Sequence, residues 1–451
     1  PVGNKLELRF RDEYAGVQRL SERVFGLKIQ DEKGNLLRPE ILGDGVYRVA
    51  LREAQQIVFS YQLRLSRVLD PGQYALVSSL GAESGLILLS DALPQINLVD
   101  AKTDHQSAPL PVRLQISLPN GWQASTTESK RDGFYEITEP EQAVFFIGRL
   151  RTQTHRVGEM QIESAIAGNW NFSDEQASKL VEAIAREQAA MIAGQEQGKF
   201  LVTLAPFPLP LTGLRSTALT RNKTVILLVN SDSGNDSQAR TLKLFQKHLA
   251  HEMFHFYLPG AFQIAENFDW FWEGFTRYTA LITLLRLGLI NTRDYFDELG
   301  QEFEAYAINP ARTRLSLLAA STDKFASREN YDLVYRKGTL VAALFDLSLR
   351  WQSDGKKNLN DVLRSLYKDY AHKNREIGNR EVLEKLQQAG DFQRFIADYI
   401  SGTREIDLAV SIKPYGWIIE QSTMTRGQAR INITKKLSDK QLKLVGQLGQ
   451  K

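Results

Sequence analysis

Near residue 167 the spacing of apolar residues changes, and this change limits the folds open to the chain more than any other feature. From residue 5 to about 165 short runs alternate, as in Leu6-Leu8-Phe10, Ile57-Phe59-Tyr61-Leu63 and Val112-Leu114-Ile116-Leu118, with Gly, Pro, Asp and Asn between them. Side chains two apart share one face of a strand, so the pattern predicts an all-β domain over residues 1–167. Ser173 and Gln176 then form a capping box, and Ala177, Leu180, Val181, Ile184, Met191 and Ile192 follow at helical spacing. Strand-like runs at 200–204 and 224–230 precede long helical patterns that continue to about residue 401. A second domain, mostly α-helical, is therefore expected over 168–404. Short runs return at Trp417-Ile418-Ile419 and at 429–433, which predicts a small β-rich segment over 405–451. Taken together the chain reads as multidomain α+β, and its 451 residues exceed the roughly 250–300 that one core supports.

Composition removes several function classes. The 56 basic and 53 acidic side chains leave a formal charge of +3, with no segment that concentrates Lys and Arg, which speaks against a nucleic-acid partner. Without cysteine there are no disulfides, thiolate metal sites or cysteine nucleophiles, so a metal has to be held by imidazole and carboxylate. Neither a Gly-rich phosphate loop nor a Gly-x-Ser-x-Gly elbow is present. The longest apolar stretch, 279–290, is interrupted by Arg286 and falls short of the roughly 20 residues a transmembrane helix needs. The chain begins at Pro1 instead of Met. With the β-domain and the lack of cysteine, this leads us to expect a periplasmic or secreted protein, with a cytoplasmic one as the alternative.

The segment His251-Glu252-Met253-Phe254-His255 lies in a helical pattern over about 237–257, introduced by the polar cluster 232–236. Residues four apart on a helix stand one turn above each other, so both imidazoles can bind one zinc while Glu252 is placed beside a metal-bound water. Chance placement on a packed helix is the plainer reading, but two of only six histidines bracketing a Glu at this spacing favours zinc. His248 lies near the same face, and for it a packed or surface role is the better reading. A catalytic zinc needs a third protein ligand. Position 261, where a metzincin places a third histidine, is Ala261, so the carboxylates Glu266 and Glu273 are the choices. Glu273 sits in the apolar, aromatic run 270–278, where an ionised carboxylate is costly without a partner such as zinc, whereas Glu266 neighbours Asn267 in a loop-like stretch.

His251 to His255, followed by Trp272-Glu273-Gly274 and Tyr278, resembles the gluzincin metallopeptidases. With Tyr335-Arg336-Lys337-Gly338-Thr339-Leu340 and Leu344-Phe345-Asp346-Leu347 the sequence is most similar to the glycyl aminopeptidase family. The resemblance covers about 168–402. It implies a thermolysin-like, mostly helical catalytic domain, one zinc held by His251, His255 and Glu273, and a peptide or protein substrate. It also implies that Tyr335 donates a hydrogen bond to the oxyanion of the tetrahedral intermediate, a task suited to a phenol that stays protonated near neutral pH. Tyr331, one turn earlier, reads as structural. The sequence departs from the family at Thr212-Gly213-Leu214-Arg215-Ser216-Thr217, where aminopeptidases carry a Glu that binds the substrate's free amine. Arg215 would repel that amine, so peptidase chemistry is expected more firmly than aminopeptidase specificity. A peptide-binding protein that keeps the zinc site but turns over poorly is the alternative function.

Overall fold

The computed structural model describes residues 5–14, 16–51, 56–65, 69–99, 111–194, 196–209, 211–230, 237–421 and 429–449. They form two compact units, the first made of 1–155, 161–178 and 199–242, the second of 156–160, 179–198 and 243–451.

The first unit is β-rich. Lys5–Arg9 pairs on one side with Val46–Ala50 and on the other with Gln95–Val99, and alternation places Leu6 and Leu8 in a core with Ile29 and Val49. Val144–Gly148 pairs with both Ser84–Leu88 and Gln123–Ser125 in a second sheet, and Val112–Leu114 joins a third with Phe134–Ile137. A five-stranded sheet runs in the order Arg151–Val157, Met160–Ile166, Gly198–Ala205, Thr224–Asn230, Arg215–Arg221. Val225, Ile226 and Leu227 are all buried, which is why this strand is continuously apolar instead of alternating.

That topology decides whether the apolar strand could hold an extended peptide by backbone pairing. Thr224–Asn230 lies between Gly198–Ala205 and Arg215–Arg221, hydrogen-bonded to both, so its backbone has no open side on which to pair a peptide. The edge strand on that side is Arg215–Arg221, whose first residues belong to the stretch 212–217 that lacks an acid. It is a strand because it pairs along its whole length with Thr224–Asn230, with Thr217 and Arg221 buried and the residues between them half-buried. Compact units and predicted sequence domains also divide the chain differently. Residues 199–230 cluster with the N-terminal strands because they extend the sheet begun by 151–166.

The second unit is mostly helical, and none of its helices, nor any other among the described residues, is long and apolar enough to cross a membrane. Two helices, Asp269–Arg286 and Arg328–Gln352, cross backbone to backbone at a pair of glycines. A Cβ on Gly274 would lie 2.5 Å from the backbone of Gly338, and one on Gly338 would lie 2.8 Å from the Trp270 carbonyl oxygen. Glu302, on the helix Thr292–Ala307, ties the crossing together by accepting from Arg277 Nε at 2.8 Å and from Arg336 Nη1 at 2.9 Å. The C-terminal β-rich segment is a hairpin of Trp417–Gln421 and Ala429–Ile433, followed by a helix, Asp439–Leu448. Trp417 is buried with its ring centroid 4.8 Å from that of Phe296, which seats the hairpin on the Thr292–Ala307 helix.

Candidate metal centre

The helix that carries His251 and Glu252 spans Ser237–Phe254, three residues shorter than the sequence pattern suggests; the polar cluster 232–236 lies outside the described residues. Beyond Phe254 the chain tightens. His255, Phe256 and Tyr257 donate to carbonyls three residues back, close to Pro259, which lacks an N–H and interrupts the helical ladder. His255 still stands one turn above His251, with their Nε2 atoms 3.1 Å apart. The Leu258 carbonyl accepts from His255 Nδ1 at 2.8 Å, which leaves Nε2 facing His251 and Glu273.

Glu273 comes from the first turns of the Asp269–Arg286 helix, with Oε2 3.4 Å from His251 Nε2 and 3.5 Å from His255 Nε2. Ligands on a tetrahedral zinc with bonds of about 2.0–2.2 Å stand about 3.3–3.5 Å apart, so the three atoms already have the spacing the ion requires. Two nitrogens and one oxygen, half-buried or buried, suit zinc as a donor set and leave a fourth position for water or substrate. Burial disfavours the Glu273 carboxylate, but the Lys324 ammonium and the two imidazoles outweigh it and hold the carboxyl well below its usual range. His255 is likewise driven down by burial and more strongly up by Glu273 and Glu252.

Of the other carboxylates, Glu252 is buried next in the chain to His251, and its charge reaches His255. Glu266 is placed elsewhere, accepting from the Asn379 backbone N–H at 2.9 Å; it caps the Asn379–Ala389 helix and is not part of the metal group. His248 is also outside that group. Desolvation and the positive charges of His251, Arg277 and Lys247 push its imidazole down to about 4, so it is neutral near pH 7.

Tyr335 enters from the Arg328–Gln352 helix, one turn before the glycine crossing, with its ring centroid 6.4 Å from that of His251 and 4.5 Å from that of Tyr331. Burial and the neighbouring Glu273 charge raise its phenol well above its usual value, so it is a donor throughout the neutral range. The two glycines explain why the motifs Trp-Glu-Gly and Arg-Lys-Gly occur together. Only bare backbone at both positions lets the helices approach closely enough for Glu273 and Tyr335 to meet the histidines.

Two residues were missed in the sequence. Lys324 Nζ donates to Glu273 Oε1 at 2.7 Å and to Asp269 Oδ1 at 3.2 Å. Nothing in Thr322-Asp323-Lys324-Phe325 distinguishes this lysine from a solvated one; the signal available was Asp269, a second carboxylate four residues before Glu273 in the same aromatic run.

The family model of the M61 glycyl aminopeptidases matches residues 245–341, the stretch that carries both histidines, both glutamates and Tyr335. No curated protein matches the chain. Among solved structures, an aminopeptidase N family protein from Idiomarina loihiensis superposes with a TM-score of 0.77 at 17% identity, over 98% of this chain and 78% of that one. The M1 zinc metallopeptidase of Deinococcus radiodurans gives 0.51 at 15% identity, over 90% and 88%. A variant of it bound to a Tyr-Ser-Ala substrate gives 0.51 at 14%, over 89% and 87%. These likenesses establish the fold: a β-rich N-terminal part, a helical catalytic part and a small β-containing C-terminal segment. The match over 245–341, the segment that carries the site, agrees with the zinc metallopeptidase of gluzincin type and the glycyl aminopeptidase likeness that the motifs had implied.

Proposed function

We infer that the chain is a zinc-dependent peptide hydrolase in which His251, His255 and Glu273 hold the metal, Glu252 is the general base and Tyr335 stabilises the oxyanion. The observation that carries this reading is the convergence of His251 Nε2, His255 Nε2 and Glu273 Oε2 at separations of 3.1 to 3.5 Å. Bound zinc would supply Lewis acidity and an activated water. Glu252 takes the proton of that water as it attacks the carbonyl and returns it to the departing amine nitrogen. Tyr335 donates its phenol proton as a hydrogen bond to the oxygen on which negative charge develops. The Tyr-Ser-Ala complex of the Deinococcus enzyme, which shares this fold, supports a peptide as the substrate.

The test is metal content against turnover. Wild-type protein is expected to retain one zinc per chain through gel filtration, and Glu273→Ala to lose it. Glu252→Gln is expected to keep the zinc and lose hydrolysis, because an amide cannot accept the proton. Full zinc occupancy in Glu273→Ala, or normal turnover by Glu252→Gln, contradicts the assigned roles. A zinc-loaded wild type that binds peptides without cleaving them would establish the alternative, a peptide-binding protein.

A further inference from the structure

We propose that Lys324 is the positioning residue that makes Glu273 a one-oxygen metal ligand. The proposal rests on the reading of His251, His255 and Glu273 as the zinc ligands. A carboxylate beside a metal can bind through one oxygen or chelate through two, and the protein has to select between them. Here the two oxygens are already divided. Oε2 faces both imidazoles at 3.4 and 3.5 Å, while Oε1 is held by the Lys324 ammonium at 2.7 Å. A charge-assisted bond of that length fixes the carboxylate plane as well as its charge.

The ammonium is itself held from several sides. Asp269 precedes Glu273 by one helical turn and takes a second Nζ–H at 3.2 Å, so one cation bridges two carboxylates on one helix face. Around it stand the rings of Phe325, Tyr335 and Trp272, with centroids at 5.3, 5.9 and 6.0 Å from Nζ. The surrounding turn is also built. Asp323 Oδ1 accepts from the Phe325 N–H at 2.9 Å, and the Asp323 carbonyl accepts from Asn330 Nδ2 at 3.1 Å at the start of the Arg328–Gln352 helix. Lys324 therefore links the helix that supplies Glu273 to the turn preceding the helix that supplies Tyr335. Stability alone is a poor reason for this arrangement, since a buried ion pair contributes little over apolar packing. Its specific effect is to leave one ligand oxygen, at one angle, for the metal.

The experiment measures zinc affinity by competition with a chromogenic chelator, together with the visible spectrum of the cobalt-substituted protein, which reports coordination number. The variants are Lys324→Met, Lys324→Arg and the double variant Lys324→Met/Asp269→Asn; the last removes the orphaned buried charge in case the single Met variant folds poorly. Lys324→Met and the double variant are expected to bind zinc about 10–100-fold more weakly than wild type, the usual effect of losing a group that orients a metal ligand. Their cobalt spectra should weaken as the freed carboxylate chelates, and Lys324→Arg should recover most of both properties. Wild-type affinity and spectrum in the folded double variant would overturn the proposal and return Lys324 to a purely structural role. A wild-type chain that takes up no zinc would overturn the ligand assignment, and the proposal with it.

Discussion

Replacing Tyr335 by Phe keeps the ring against Tyr331 and His251 and removes only the hydroxyl, so fold and zinc content should be unchanged. Turnover should fall by roughly a hundred- to a thousand-fold with little change in KM, the usual cost of one oxyanion donor. A near-wild-type kcat would make Tyr335 a packing residue. His248, which lies off the metal group, has a testable consequence of another kind. Its imidazole stays neutral in the folded chain down to about pH 4, whereas in the unfolded chain it charges near 6.5. The unfolded state therefore takes up a proton that the folded state refuses. Stability is lost as pH falls from 6.5 to about 4, and this contribution is flat below that. Denaturant midpoints for His248→Gln should decline less steeply across that window than those of wild type; equal slopes would contradict the assignment. The grouping of His251, His255 and Glu273 was legible in the sequence because helical spacing and an apolar neighbourhood leave few other reasons for those residue types. Lys324 was not, since its partners are about fifty residues away and its own neighbours read as a surface turn.

At the scale of elements, the crossing of Asp269–Arg286 and Arg328–Gln352 decides whether the site exists. Gly338→Ala would place a methyl 2.8 Å from the Trp270 carbonyl oxygen, a backbone atom with little room to yield. The expected cost is about 1–3 kcal/mol in denaturant unfolding, as for other overpacked positions. Zinc affinity should fall as well, because the strain separates Glu273 from its helix partner. Wild-type stability would show that the crossing is looser than the backbone contact suggests. Sequence reasoning placed these helices from their periodicity but could not see that two glycines far apart in the chain face each other. It also passed over Arg215–Arg221. Ser216-Thr217-Ala218-Leu219-Thr220 carries too few large apolar residues to announce a strand, and pairing with the apolar Thr224–Asn230 is what makes it one. The run 224–230 was legible as a strand but not as an internal one, because which strand closes a sheet is settled by pairing order and not by composition.

For the whole molecule, residues 199–242 cluster with the N-terminal strands, while His251, His255, Glu273 and Tyr335 all lie in the second unit. Periodicity marked where strands give way to helices but not that a sheet could be completed after the first long helix. On specificity, the sequence 212–217 contains no acid and one cation, Arg215. Leaving a substrate ammonium unpaired in a confined site costs several kcal/mol, so free-amine recognition should be weak. Matched peptides differing only in N-acetylation should be cut comparably; strict release of single N-terminal residues, abolished by acetylation, would show that another carboxylate serves the amine. The most direct test of the central claim is cleavage of a mixed peptide library by the purified chain, followed by mass spectrometry, before and after zinc removal. The account predicts hydrolysis that disappears with chelation, returns with stoichiometric zinc and is absent in zinc-loaded Glu252→Gln. Cleavage that persists in the metal-free protein, or a zinc-loaded wild type that cuts nothing, would contradict it.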